Sequence, residues 1–441
     1  MSSARETALR VLIAVRTTDA WADASLKAQL ADASLSGADA ALATRLVYGV
    51  LQNQLLLDFW IDAYCSQRPD HLQFPLPDIL RLGVYQIVFL DRIPDSAAVN
   101  ESVNLAKKFG RIRASGLVNA VLRKVSGHKG KLPMPDGQDT VKLLSITYSH
   151  PRWLVKRLIR ILGEKETERF LEADNRAVPT TVQCNTLKNT PEELLAAFTE
   201  EAVDAVPHSW VPGCFAVSST GNLTALPTFC AGRFLVQDAA ARLSTYAADP
   251  HPGMRVIDVC AAPGGKSFSA AIAMRDQGDI LSCDLHENKL IRIREGAARL
   301  GLTCITAIAA DGRTPHTDWE GSADLVLVDV PCSGLGIIRK KPDVRYKKPD
   351  SLIDLPVLQT AILGNAAAYV KPGGALIYST CTILPEENEQ ITDAFLAEHP
   401  LFSRERFELP APLGGVEAGQ ITLWPQRNDT DGFYICRMKR K

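Results

Sequence analysis

The chain has almost no net charge. Its 49 Lys and Arg residues stand against 50 Asp and Glu residues, a formal charge of −1 at pH 7. A protein that is basic over its whole surface is excluded, although local patches still decide whether nucleic acid binds. Cysteine pairs of the C-x-x-C type are missing as well. The ten cysteines stand at 65, 184, 214, 230, 260, 283, 304, 332, 381 and 436, so no zinc ribbon, no thioredoxin-like centre and no metal site is expected. Long uncharged runs are scarce. The best, Leu355 to Val370, is short and carries Gln359, Thr360 and Asn365, so no membrane span is expected. The opening MSSARETALR lacks the apolar core of a signal peptide, which points to a cytoplasmic protein with reduced thiols. What is present, 46% hydrophobic and 22% charged residues over 441 positions, excludes a disordered or fibrous chain and suffices for about three domains.

Residues 1–140 read as an all-α domain. Apolar residues recur at helical spacing in Leu46, Val47, Val50 and Leu51, in Leu80, Val84 and Ile87, and in Leu117, Val118, Val121, Leu122 and Val125. The Pro-, Gly- and Asp-rich segment from Lys131 to Asp139 reads as a linker. Residues 141–232 are expected to form a small α+β module, with a helix over Pro151–Leu162, a strand over Thr180–Asn185 and a helix over Pro191–Glu200 capped by Thr190. Residues 233–441 show a strand–helix rhythm. Strands are expected at 255–260, 279–285, 304–311, 323–330 and 374–381, with a late one at 432–439. Continuous apolar strands alternating with helices mean a Rossmann-like, doubly wound parallel sheet.

The strongest local signal is VIDVCAAPGGKS, Val256 to Ser267: a strand, a Gly/Pro turn and a helix start. Backbone N–H groups meet a polar ligand in such a place. A Walker A loop would need Gly where Cys260 stands, and G-x-G-x-x-G is absent. The turn alone is equally compatible with no ligand. Three acids shift that balance. Asp258, Asp284 and Asp311 end successive strands, 26 and 27 residues apart, and ligands of open α/β sheets sit at the carboxyl ends of strands. A carboxylate after the second strand suits a ribose diol, and one after the third suits an adenine amine. A lone Asp is more often a helix cap; three at matching strand ends argue for an adenosine-bearing cofactor.

The fourth and fifth strands run into DVPCSGLG, Asp329 to Gly336, and YSTCTILPEENE, Tyr378 to Glu389. Cys332 and Cys381 therefore share one edge of the sheet with the inferred cofactor. Cysteine is usually a buried small hydrophobe, which is the reading kept for the other eight. Two accessible thiols beside a methyl donor suit covalent pyrimidine chemistry. Cytosine C5 is too weak a nucleophile to take a sulfonium methyl group until a thiolate adds at C6. A free thiol is only a few per cent ionised at neutral pH, so the site has to activate it. Asp329 is placed to bond cytosine N3 as charge builds there.

CAAPGGKS, VDVPCSGLG and YSTCTILPEENE resemble the cofactor loop and the two cysteine motifs of the Nol–Nop–Sun family of RNA cytosine-C5 methyltransferases. The resemblance implies S-adenosyl-L-methionine as cofactor, held by Cys260, Ala261, Ala262, Pro263, Gly264, Gly265, Lys266, Asp284, Asp311 and Asp329. It implies Cys381 as the nucleophile and Cys332 as the residue that assists elimination. The Glu-Asn-Val motif of the DNA cytosine methyltransferases is absent; Asn388 is followed by Glu389. Segments Arg5–Leu12, Leu80–Pro94, Ala98–Gly110 and Leu117–Val125 resemble the NusB fold. That fusion is similar to the bacterial members of the family that act on 16S ribosomal RNA, which makes this RNA, free or in an early pre-30S particle, the expected partner. The middle module departs from the family pattern at Gln183, where Arg is common, and the late segment departs at Gln426, where His is frequent.

A near-neutral protein needs concentrated charge to hold RNA. Residues 107–131 carry eight bases and no acid, among them Lys107, Lys108 and Arg111. Arg339 to Lys348 carries six bases and one acid, among them Arg339, Lys340, Lys341 and Arg345, with Tyr346 available to stack on a base. An isolated charge run is usually a solvated face; the pairing of these two with a NusB-like domain and a pyrimidine site favours RNA contacts instead. A transfer-RNA methyltransferase and a non-catalytic ribosome-assembly scaffold are the alternatives the sequence leaves standing.

Overall fold

The structure is a computed structural model that describes residues 3–441 apart from Asp19, Ser34, residues 68–70, Ser219 and Thr220. The chain divides into two compact units: Met1–Arg176 with Ile338–Lys347, and Ala177–Ile337 with Lys348–Lys441.

The first unit is helical. It contains α1 (Ala4–Thr18), α2 (Ala22–Ala33), α3 (Gly37–Tyr64), α4 (Leu76–Phe89), α5 (Asp95–Lys108) and α6 (Ser115–Gly127). Ser36 caps α3 by accepting from the Asp39 N–H. The helically spaced residues of α3, α4 and α6 meet in one core: Leu46, Val50, Leu80, Val84, Val118 and Leu122 are all buried there. Three further helices, α7 (Thr140–Thr147), α8 (Arg152–Leu162) and α9 (Glu164–Asp174), fall in the same compact unit. Leu132 and Ile146 pack against the helical core, and the Trp60 indole N–H donates to the Pro133 carbonyl at 2.8 Å, so the Pro-rich stretch is fastened down.

The second unit begins with a small antiparallel sheet. β1 (Thr180–Cys184), β2 (Asp204–Pro207), β3 (Cys214–Ser218) and β4 (Phe234–Val236) run in the order β2-β3-β1-β4. Helix α10 (Pro191–Glu200) starts in a capping box made by Thr190 and Glu193, and the short α11 (Pro227–Cys230) precedes β4. Val182, Leu194, Phe198, Phe215 and Phe234 fill this module's core.

The large sheet follows α12 (Ala239–Ala248). The chain alternates through β5 (Arg255–Asp258), α13 (Gly265–Ala273), β6 (Asp279–Asp284), α14 (Glu287–Leu300) and β7 (Ile305–Ala309). It continues through β8 (Ala323–Asp329), α15 (Leu355–Tyr369), β9 (Val370–Thr380) and α16 (Glu389–Glu398). The short strands β10 (Phe402–Arg404), β11 (Phe407–Glu408), β12 (Gly415–Val416) and β13 (Gln420–Leu423), then α17 (Pro425–Asn428), lead to the last strand, β14 (Phe433–Arg440). The order is β10-β14-β9-β8-β5-β6-β7, with β13 also on β14. The five strands from β9 to β7 are parallel, and β14 lies antiparallel to β9. Along β8 the apolar residues alternate between the layers, Leu325 and Leu327 on one and Val326 and Val328 on the other, which is why the strand reads as an unbroken apolar run. The chain leaves β5 toward β6 and β7, then returns to β8 on the other side of β5. That reversal is the switch point at which open α/β sheets bind ligands.

The segment Pro349–Tyr369 is long and apolar enough to cross a membrane, with a mean hydropathy of 1.2. Within it, Ile362, Leu363, Ala366, Ala367 and Tyr369 are buried against the sheet, so one face of α15 packs into this unit's core.

Candidate active site

β8 and β9 are parallel neighbours, with Asp329 opposite Ser379. Each strand runs on into a loop that carries a cysteine a few residues later, so adjacency of the strands brings the thiols together. Cys332 Sγ and Cys381 Sγ are 3.3 Å apart, and both residues are half-buried. The loops are stitched by backbone hydrogen bonds. The Gly336 N–H donates to the Cys381 carbonyl at 2.9 Å, and the Gly432 N–H donates to the Gly336 carbonyl at 2.8 Å. A Cβ at Gly336 would overlap the Gly432 carbonyl oxygen, which is the reason for glycine there. Hydrogen bonding to Cys381, then burial, then the negative charges of Glu387 and Asp329 push the Cys332 thiol well above its ordinary range.

Both cysteines line a cavity of about 550 Å³ at the carboxyl ends of the strands, together with Asp284, Asp311 and Asp329. Each carboxylate has a cation. Asp329 Oδ2 meets Lys266 Nζ at 2.5 Å while Ser379 Oγ donates to Oδ1 at 2.8 Å. Asp284 Oδ1 lies 3.4 Å from Lys289 Nζ and accepts the His286 N–H at 3.1 Å. Asp311 holds the Arg313 guanidinium at 2.7 Å, and these bonds lower its pKa. An ionised carboxylate offers about four lone-pair sites, so Asp284 and Asp311 can each accept a further donor. Leu285, 53% exposed, and the aliphatic Val330, Leu358 and Ile362 supply apolar walls. Acceptors for a diol and an amine between apolar walls fit an adenosine-bearing cofactor.

The turn preceding α13 divides its labour. Cys260 and Ala262 line the cavity, and burial raises the Cys260 thiol pKa. Ala261, Pro263, Gly264 and Gly265 shape the turn without lining it. Gly264 takes φ +109°, and a Cβ there would strike the Phe268 ring. Lys266 reaches Asp329 and lies over the Phe433 ring. Asp258, read from sequence as the first acid of a cofactor series, does not face the cavity. It is buried beneath the turn, accepting from Ser267 Oγ at 2.7 Å, and Ser267 Oγ in turn meets Ser282 Oγ. Burial raises its carboxyl to a pKa of about 6.

The expected RNA contacts separate into two groups. Lys107 and Lys108 are exposed at the end of α5, with Lys108 paired to Glu6 at 2.6 Å, and Arg111 donates to the Phe74 carbonyl. In the second run the expectation fails for Arg345. It is fully buried in the helical unit, where Nη1 donates to the carbonyls of Gln52 (2.9 Å) and Ser149 (3.1 Å) and to Asn175 Oδ1 (3.0 Å). A guanidinium caged by backbone carbonyls cannot meet a phosphate. Tyr346 likewise spends its hydroxyl on the Leu51 carbonyl at 2.8 Å. Lys341 pairs with Asp23 at 3.1 Å, and Arg339 and Lys340 are half-buried. Charge density in a sequence does not distinguish a solvated face from a segment pinned by its own charges. Gln183 is also buried, its amide directed at the Gln237 carbonyl. Sequence reasoning missed Ser379, Lys289, Arg313 and Glu387. The first was within reach, because Ser379 lies opposite Asp329 once β8 and β9 are paired.

This doubly wound sheet, with an antiparallel last strand, acids at the ends of its parallel strands and a cavity beyond them, defines a Rossmann-like methyltransferase that uses S-adenosylmethionine. Three family models match the chain: 16S rRNA methyltransferase RsmB/F over residues 245–439, the NusB family over 2–127, and the ferredoxin-like domain of RsmF/B-like methyltransferases over 150–224. The probable ribosomal RNA small subunit methyltransferase B of Bacillus subtilis is 36% identical, the match spanning 100% of this chain and 99% of that protein. The crystal structure of PH0851 superposes with a TM-score of 0.81 at 28% identity, covering 98% of each chain. A methyltransferase homolog protein from Pyrococcus horikoshii gives 0.58 at 27% identity, over 69% of this chain and 100% of that one. The chain belongs to the 16S rRNA methyltransferase RsmB/F family.

Proposed function

We propose that this enzyme methylates C5 of one cytosine in 16S ribosomal RNA, in the cytoplasm, through a covalent bond between Cys381 and C6 of the base. The observation that carries the reading is the 3.3 Å separation of two thiols on the wall of the cavity that also holds Asp284, Asp311 and Asp329. S-adenosylmethionine, when bound, supplies an electrophilic methyl group; Asp284 and Asp311 would hold its ribose and adenine.

Cys381, as thiolate, adds to C6 and makes C5 an enamine carbon. As addition makes N3 basic, N3 takes a proton from water, and Asp329, oriented by Lys266 and Ser379, accepts the resulting N3–H hydrogen bond. Once C5 carries its new methyl group, its proton leaves to a base, water included. The C5–H pair forms the C5–C6 double bond and the C6–S bond breaks. Cys381 leaves with the electron pair as a thiolate, and Cys332, whose thiol holds its proton tightly, donates a hydrogen bond to it. The target base has to be unpaired or flipped to reach this edge of the sheet. Lys107, Lys108, Arg111, Arg339, Lys340 and Lys341 are the candidates for phosphate contacts, and free RNA or an early pre-30S particle is the substrate form proposed. Bisulfite sequencing of 16S rRNA from a deletion strain tests the reading: one 5-methylcytosine is expected to disappear, and an unchanged pattern would contradict it.

A further inference from the structure

The segment after the second cysteine motif holds a buried carboxylate that the chemistry above does not use. Glu387 is 1% exposed, and among the described residues no cation pairs with it. Every side-chain contact it makes comes from a neutral donor. Its Oε2 accepts the Ser333 N–H at 2.9 Å and the Gln359 amide at 2.9 Å, and its Oε1 faces Thr382 Oγ1 at 3.4 Å. Ser333 follows Cys332 and Thr382 follows Cys381, and their hydroxyls meet at 2.6 Å. The Gln359 amide also donates to the carbonyl of Pro331, the residue before Cys332. From the next position, Asn388 accepts from Thr380 Oγ1 and donates to the Thr382 carbonyl. One carboxylate thus gathers both cysteine loops and α15.

We propose that Glu387 is a positioning residue of the methyl-transfer site, tying the Cys332 loop to the Cys381 loop and presenting its buried negative charge to Cys332. Burying a carboxylate without a cation is costly, and a neutral side chain could have filled the same hub. What the charge adds is discrimination between the thiols. The groups facing Cys332 are Cys381, Glu387, Asp329 with its partner Lys266, and Tyr378. Glu387 and Asp329 both disfavour a thiolate at Cys332, so that residue stays the proton-bearing donor. The inference rests on the reading of Cys332 as the thiol that assists release.

The test uses no RNA in its first arm. In a Cys381→Ser background, with and without Glu387→Gln, the rate of iodoacetamide modification of Cys332 is followed against pH by peptide mass spectrometry. Loss of the charge is expected to lower the midpoint by about one pH unit or more; an unchanged midpoint overturns the proposal. The second arm, Glu387→Asp in the otherwise unaltered chain, keeps the charge and shortens the reach. It carries the test even if the amide variant does not fold. The Cys332 midpoint should stay near the wild-type value while single-turnover methyl transfer slows about tenfold or more; full-rate transfer, or a lowered midpoint, overturns the proposal. A wrong assignment of the nucleophile would leave the alkylation profiles untouched, so the two failures are distinguishable.

Discussion

At the scale of single residues, the site is a set of carboxylates in contrasting surroundings. Asp329 faces the cavity with both oxygens occupied, and Ser379 is the holder that can be removed without adding charge. Ser379→Ala should slow methyl transfer about tenfold, the equivalent of one hydrogen bond to a charged group, with S-adenosylmethionine affinity unchanged in calorimetry. An unaltered rate would count against the role given to Asp329. Asp258 is the opposite case, a carboxyl beneath the turn whose pKa is raised to about 6. A raised acid favours the folded state while protonated, so its contribution is lost as pH climbs from about 4 through 6, by roughly 3 kcal/mol at most. Asp258→Asn should remove that component. Urea midpoints of the variant, compared with wild type from pH 4 to 7, should show a relative gain as pH rises. A parallel pair of curves would contradict the assignment. The acids at strand ends were legible from spacing alone. Which of them faced the cavity was not, because Asp258 and Asp284 occupy equivalent sequence positions and differ in what packs over them.

At the scale of elements, the parallel strands were readable because burial on both faces leaves continuous apolar runs such as ADLVLVD, and the helical spacing of α3, α4 and α6 exposed their core faces. The adjacency of β8 and β9, which joins the cysteines, follows from strand order, and strand order is set by long-range packing that no local pattern records. The glycines between the loops are the local trace of that packing. Gly336→Ala forces a methyl group against the Gly432 carbonyl and should cost about 1–3 kcal/mol in denaturant unfolding. It should also reduce methyl transfer by displacing Cys381, whose carbonyl accepts the Gly336 N–H. Wild-type stability and rate in this variant would mean that the loops relax freely. Segment 339–348 shows where sequence reading fails. Six bases in ten residues look like an RNA grip, yet Arg345 and Tyr346 are consumed by contacts within the helical unit.

At the scale of the whole molecule, a chain of net charge −1 has to concentrate its cations to bind RNA, and the run from Lys107 to Lys131 is the one that remains exposed in part. Lys107→Ala with Arg111→Ala should weaken RNA binding and reduce the salt slope by about one for each phosphate no longer neutralised. Arg345→Ala should leave that slope unchanged while destabilising the helical unit by about 3 kcal/mol, through three stranded acceptors. Filter binding across a salt series and denaturant melts separate the two. A slope that falls with Arg345→Ala and not with the Lys107 and Arg111 substitutions would reverse the assignment. The central claim, that two adjacent thiols divide attack and release, meets its most direct test on a denaturing gel. Purified enzyme with S-adenosylmethionine and 16S rRNA should give a protein–RNA adduct that accumulates in Cys332→Ala and is absent in Cys381→Ala. An adduct in Cys381→Ala, or none in either variant alongside undiminished methylation, would contradict it.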